Sequence, residues 1–388
     1  MSIRGAHTTI VIAAVLGACR TATPPPAAPA PAPAPVVREE PRPPVPLKLG
    51  VILPQGAAEL SQYASLIREG IELALAEYGA SAERPVELVV MDDSGEVASA
   101  SRAAASLEAD GAIAILGPLL GPALEAAVAS RQSPDLLILS PTASEVPGAA
   151  HAYALNANDT RGASALAAWA AAAGLSRLGV LHSSAAGDAA NARAFVEEAR
   201  RRNAQIAAEI PFDPGTSTFA EPIERLKTAM VQAVFVAAPE SAIRQLAPQM
   251  AYFGLTGVQI LGTEAWVGDD VLRRVAPAML EGVVAAKPFL ETSTDTGWQD
   301  FVQLYENTHR RSLDTPYPAL GYDAAKLILR EIERGHTSRR ELAESLEAVR
   351  EYRGATGILS ISSGQVMRRP FLVRIRSGRP VPLPFTGE

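Results

Sequence analysis

From residue 47 onward the hydrophobic pattern keeps switching between short unbroken apolar runs and segments of helical period. The apolar runs fall at 47–53, 86–91, 112–116 and 136–139, then at 178–181, 204–210, 233–237, 259–261 and 282–286. Apolar residues at helical spacing fill the intervals: Leu60, Tyr63, Ile67, Ile71, Ala74 and Tyr78 mark one stripe, with Gly79 as its stop. Further helices are expected at 97–109, 121–131, 161–173, 188–203, 219–229 and 240–253, and then at 298–311, 318–334 and 338–352. Two more short strands, near 357–361 and 371–375, close the chain. Continuous rather than alternating apolar strands fit a parallel sheet covered on both faces. Strict alternation with helices implies an α/β, doubly wound architecture. About ten such strands exceed one compact sheet of this kind, so two lobes are expected.

The first 46 residues follow different rules. Arg4 precedes the apolar stretch 9–16 (TIVIAAVL), which has the size of a signal-peptide h-region. A membrane-spanning helix needs about 20 apolar residues, so this stretch is too short. It ends in Leu16-Gly17-Ala18-Cys19, which looks like a lipobox, with Cys19 as the lipid acceptor. Residues 1–18 are thus expected as a lipoprotein signal peptide. Residues 19–46 are expected as a lipidated cysteine followed by a Pro/Ala-rich tether. Eleven of the 31 prolines lie in 21–46, where they preclude helix and sheet. A polyproline II spacer of that length reaches about 80 Å.

Composition narrows the partners. The chain carries a net charge of −7, and the part beyond residue 46 carries −9, so nucleic acid is not expected as a partner. An acidic body also adheres poorly to an anionic membrane, which leaves anchoring to the lipid on Cys19. A single cysteine excludes a disulfide framework and multi-cysteine metal sites. The chain has no G-x-G-x-x-G, Walker A, G-x-S-x-G or H-E-x-x-H motif, and its five histidines lack metal-ligand spacing. No catalysis, cofactor or metal is expected. The clusters Arg200-Arg201-Arg202 and Arg339-Arg340 read as solvated helix faces interleaved with glutamates.

The strand-end sequences carry a resemblance. Gly50-Val-Ile-Leu-Pro, Gly70-Ile-Glu-Leu-Ala, Asp92-Asp93-Ser94-Gly95, Ile115-Leu-Gly-Pro118 and Leu139-Ser-Pro-Thr-Ala143 occur in that order. They are followed by Leu261-Gly-Thr-Glu264, Glu281-Gly-Val-Val284 and Gly321-Tyr-Asp-Ala324. In this order and spacing they resemble the type I periplasmic binding proteins, in the leucine-binding (branched-chain amino-acid-binding) branch, over residues 47–388. Leu246-Ala-Pro-Gln-Met, Gly257-Val-Gln-Ile-Leu-Gly-Thr, Gly354-Ala-Thr-Gly357 and Arg369-Pro-Phe-Leu-Val-Arg also look like penicillin-binding protein activator lipoproteins. That group is similar in fold and is associated with peptidoglycan synthases.

The resemblance implies two Rossmann-like lobes, 47–157 plus 287–362 and 158–286 plus 363–388. It places hinge crossings near 155–159, 285–289 and 360–367. A small polar solute such as an amino acid would bind in the interlobe cleft and be passed to an ABC permease. In the alternative the chain contacts a peptidoglycan synthase. Either way the chain would be lipid-anchored in a bacterial cell envelope, facing the periplasm.

The resemblance also implies site residues. Tyr63 would lie against the ligand side chain, although its place on the helical stripe equally suits the core. Ser140, Thr142 and Ser144 follow a strand and would present hydroxyls and N–H groups to an anion, or else serve as turn residues. Leu119-Leu120-Gly121 stand where members of the branch carry hydroxyls. Glu264 would pair the ligand's ammonium group, or be an exposed loop residue. Asp159 would pair a cation or cap the helix beginning at Thr160. Ser184 lies in a loop whose usual aromatic is replaced by Ala186.

Overall fold

The computed structural model describes residues 45–80, 82–143, 148–156, 160–289 and 295–384. The signal segment, Cys19 and most of the tether lie outside the described residues, as do Ser144 and Asp159.

The first half alternates as its pattern requires: β1 (Leu47–Leu53), α1 (Ser61–Gly79), β2 (Val86–Asp92), α2 (Val97–Ala109), β3 (Ala114–Leu116) and α3 (Gly121–Ser130). β4 (Leu137–Ser140) and β5 (Ala152–Ala154) complete a five-stranded parallel sheet in the order β2-β1-β3-β4-β5. Both faces are covered, which explains the unbroken apolar strands. Leu49, Val51 and Leu53 face one core, and Ile52 faces another built with α2 and α3. Each such fully buried side chain contributes about 1.5–3 kcal/mol.

The chain then enters a second sheet. Its elements are α4 (Arg161–Ala172), β6 (Arg177–Ser183), α5 (Ala186–Arg201), β7 (Gln205–Phe212), α6 (Ala220–Thr228), β8 (Ala233–Ala237) and α7 (Glu240–Tyr252). β9 (Gln259–Gly262), α8 (Asp269–Arg274), α9 (Pro277–Leu280) and β10 (Val284–Lys287) follow. α4 and α5 cover one face of this sheet, and α6 to α8 the other.

After β10 the chain returns to the first core through α10 (Thr296–His309), α11 (Tyr317–Glu333) and α12 (Arg339–Glu347). β11 (Tyr352–Gly354), β12 (Gly357–Ser362) and β13 (Gln365–Arg368) form a small antiparallel sheet whose Leu359, Ile361 and Val366 join that core. β14 (Phe371–Arg376) and β15 (Arg379–Pro382) complete the second sheet, in the order β15-β14-β10-β9-β8-β6-β7. The architecture is the expected two-lobed α/β fold.

Three expectations need correction. The helix expected over 338–352 stops at Glu347, and Tyr352 starts β11. The third crossing is not at 360–367, because β12 and β13 pair there as a hairpin, with Ser362 opposite Gln365. Ser363 and Gly364 both have positive φ, as a tight two-residue hairpin turn demands. The chain therefore passes between sheets at Arg369-Pro370. Arg339 is not a solvated residue either. Its guanidinium donates to the carbonyls of Ala112 (2.9 Å) and Glu108 (2.8 Å), tying α12 to the far side of the sheet. Arg201 and Arg202 do pair along their helix, both with Glu198.

Candidate functional site

A cavity of about 210 Å3 lies where the three crossings converge. Leu155 and Asn156, just after β5, line one side of it, and Lys287 and Pro288 at the end of β10 line another. Val366, Arg368 and Pro370 bring in the third crossing. The second lobe adds Thr263 and Glu264 after β9, the first turn of α4, and Asn191 of α5. α4 approaches so closely because residue 162 is glycine: a Cβ there would sit 2.9 Å from that of Ala286.

Glu264 opens a single 3-10 turn, Glu264–Val267, whose position is set by the buried indole of Trp266. That ring packs on Gly262, where a Cβ would come within 2.0 Å of it. The carboxylate of Glu264 is thereby delivered, exposed, to the cavity rim.

A buried polar network braces the opposite wall. The Arg368 guanidinium donates to the carbonyls of Leu155 (3.0 Å) and Thr356 (2.6 Å), and also to the Thr356 hydroxyl. That hydroxyl donates in turn to Asp323 (2.5 Å), which also accepts the amides of Ala355 (2.7 Å) and Thr356 (2.8 Å). Burial pushes the Asp323 carboxyl up, while the Thr356 hydroxyl and amide and the Arg368 charge pull it back. One arginine thus joins the first crossing to the third. Neither Arg368 nor Lys287 stood out in the sequence as a site residue. Asp323 appeared only as part of the Gly321-Tyr-Asp-Ala324 landmark.

The residues expected at the site divide. Glu264 lines the cavity; Tyr63, Ser140, Thr142 and Ser184 do not. Tyr63 is 43% exposed near the start of α1, so it is not a core residue, and its ring meets Tyr317 edge-on at 4.9 Å between centroids. Ser140 is wholly buried: its hydroxyl donates to the Pro118 carbonyl (2.5 Å) and accepts the Ala143 amide (3.0 Å). The Thr142 hydroxyl donates to the Leu119 carbonyl (2.9 Å). Both hydroxyls therefore brace the neighbouring loop rather than reach outward. That loop begins at Gly117, whose φ is +89° and whose Cβ would stand 2.1 Å from the Ile52 carbonyl oxygen, so only glycine fits. Ser184 is exposed, and its amide donates to the Phe212 carbonyl (2.8 Å). His182 is buried, with Nδ1 2.8 Å from the Ser183 carbonyl.

A larger surface depression, of about 590 Å3, lies between α11 and α12. Its buried carboxylate, Glu331, is already held by Arg330 (3.2 Å), Arg334 (2.8 Å) and His336 (3.2 Å). The crossing cavity instead draws its lining from elements around both sheets, which favours it as the ligand site.

The comparisons with known proteins agree with this fold. No curated protein matches the sequence. A putative branched-chain amino acid ABC transporter from Rhodospirillum rubrum shares 22% identity, with a TM-score of 0.79 over 87% of this chain and 100% of that one. A leucine binding protein from Thermotoga maritima shares 21%, with a TM-score of 0.60 over 87% and 98%. An ABC transporter substrate-binding protein from Desulfitobacterium hafniense, solved in complex with Leu, shares 22%, with a TM-score of 0.66 over 87% and 100%. At this level of identity the likeness establishes the fold. The family model described as "Periplasmic binding protein" matches residues 46–380, and the chain belongs to that family.

Proposed function

We propose that the protein is an envelope-anchored solute-binding lipoprotein of the leucine-binding type, serving an ABC permease and carrying out no catalysis. The observation that carries this reading is the cavity at the three crossings, whose lining includes Glu264, Lys287 and Arg368. A lining that carries both a carboxylate and cations is complementary in charge to a small zwitterion. The cavity, of about 210 Å3, suits a small solute rather than a macromolecular segment. The similar protein from Desulfitobacterium hafniense holds Leu. Lobes built on the two sheets would close about the crossings, and Tyr63 would meet the ligand from the first lobe. The lipid on Cys19 and the Pro/Ala tether would hold this body at a membrane, facing the periplasm.

The test is a thermal-shift screen of the full chain against the common amino acids. A receptor gains about 2.7 kcal/mol of stability at a ligand concentration 100 times its Kd. Glu264→Ala should remove that gain for zwitterionic ligands. An unchanged response would remove Glu264 from the site.

A second reading has one observation in its favour. The loop after β3 offers Leu119 and Leu120, and the Ser140 and Thr142 hydroxyls are spent on it. A scaffold that activates a penicillin-binding protein through protein contact needs no hydroxyls there. Absence of any amino-acid response, together with binding to a peptidoglycan synthase's periplasmic domain, would select this reading over transport.

A further inference from the structure

The edges of the two large sheets are not protected alike. β5 is wholly buried, β7 carries a bulge at Ala207 and a proline, Pro211, and β15 holds Pro380 and Pro382. β2 has none of these: its seven residues pair with β1 in unbroken register, and none of them is buried. Its two acidic residues, Glu87 and Asp92, flank the apolar run 88–91. Such an edge is a template for another strand. The Leu47 amide donates to the Pro85 carbonyl, and the Asp93 amide donates to the Leu53 carbonyl, so the odd-numbered residues turn their backbone groups to β1. The N–H and C=O groups of Val86, Leu88, Val90 and Asp92 therefore point outward.

Two opposite charges accompany this edge, neither in an ion pair among the described residues. Glu87 is exposed near the start of β2, on the sheet face that Val89 and Met91 turn toward α2. Arg102 of α2 meets the Ser99 hydroxyl (3.0 Å). With Met91, Asp92, Ser99 and Ser106 it lines a depression of about 370 Å3 at the other end of the strand.

We propose that β2 is the joint of a homodimer, pairing antiparallel with β2 of a second copy about a twofold axis at Val89. Full overlap of the strand with itself sets Val86 opposite Asp92, Glu87 opposite Met91 and Leu88 opposite Val90. The outward backbone groups of Leu88 then face those of Val90, as the hydrogen-bonded pairs of an antiparallel ladder require. Glu87 of each copy falls beside Met91 of the other, at the depression where Arg102 stands, and symmetry makes this contact twice. Leu88 and Val90, half-buried in each copy, cover one another across the joint. No residue of β2 or α2 lines the crossing cavity, so the joint is independent of what that cavity binds.

Sedimentation equilibrium of the full chain tests this. The native chain should dimerise, Glu87→Arg or Arg102→Glu should each weaken the dimer about tenfold or more, and the two reversals together should restore it. Circular dichroism would show that the variants fold. Val89→Cys should cross-link to itself on mild oxidation, because directly opposed residues of a non-hydrogen-bonded pair have Cα atoms about 4.5 Å apart, within disulfide range. The native chain, whose one cysteine is Cys19, is the control. A native chain that stays monomeric up to about 1 mM would overturn the proposal and leave the edge to a strand of another protein. A dimer that survives both single reversals, or that the double reversal fails to restore, would place the joint elsewhere and overturn it as well.

Discussion

Gly70 of α1 and Gly321 of α11 bring the two helices into backbone contact. A Cβ on Gly70 would lie 1.8 Å from the Pro318 carbonyl oxygen, and one on Gly321 would lie 2.1 Å from that of Ile67. Two motifs noted separately along the chain are thus the two sides of one helix crossing. Around it, the Tyr322 hydroxyl donates to Glu77 (2.5 Å) and Lys326 pairs with the same carboxylate (3.1 Å). Because the obstructing atoms are backbone, no rotamer change makes room. Gly70→Ala and Gly321→Ala should each cost about 2–3 kcal/mol or more, measured by thermal or urea unfolding. A native-like midpoint in either variant would show that the helices separate freely.

The Asp323–Thr356–Arg368 network makes a second prediction. Asp323→Ala leaves the Arg368 guanidinium buried beside an unpaired hydroxyl, and should cost about 3–5 kcal/mol. Thr356→Val removes only the relay hydroxyl, at about 1–3 kcal/mol. Equal losses for the two variants would argue against a charge at the centre of the network.

Ser140 separates bracing from binding. Ser140→Ala should lower stability by about 1–3 kcal/mol, since the Pro118 carbonyl and Ala143 amide lose a buried partner. Ligand affinity of the folded molecules should not change. A large affinity loss with native stability would instead place the hydroxyl on the ligand.

For Tyr63 the expectation is reversed. Its half-open ring contributes little beyond the pair with Tyr317, so Tyr63→Ala should cost no more than about 1.5 kcal/mol. If the ring closes over a bound solute, titration calorimetry should show weaker affinity at nearly unchanged melting temperature.

A pH dependence follows from α12. Ser338 and Glu341 form a reciprocal capping box, in which the Ser338 amide and hydroxyl and the Thr337 amide hold the Glu341 carboxyl below its usual value. A depressed folded value contributes stability that is present above the unfolded carboxylate range and lost as pH falls through the folded value. An NMR titration should find Glu341 below ordinary glutamates, and Ser338→Ala should return it toward them at a cost of about 1 kcal/mol. An unshifted Glu341 in the native protein would contradict the box.

Much of the element order was legible. The pattern placed α2 at 97–109 and β8 at 233–237, matching the structure residue for residue. β5 was missed because three residues, Ala152–Ala154, are too few to display a period. The β12–β13 hairpin was missed because its Ser363-Gly364 turn lay inside a segment expected to be a crossing. At the site, Glu264 was singled out from a strand-end motif, whereas Lys287 and Arg368 lie in no recognisable pattern. Ser140 and Thr142 were named as hydroxyls after a strand, and residue type alone could not say that both donate to the loop after β3.

The sequence by itself determined the alternation, the covered parallel strands, the change of pattern after residue 46, and the family landmarks. These are local properties, written in hydrophobic period, proline content and short motifs. Only the tertiary structure decided which polar groups meet. The Leu155 carbonyl and the Arg368 guanidinium are 213 positions apart and bond because two crossings are folded side by side. A hydrogen bond of that kind depends on where three segments close in space, and no periodicity along the chain records it.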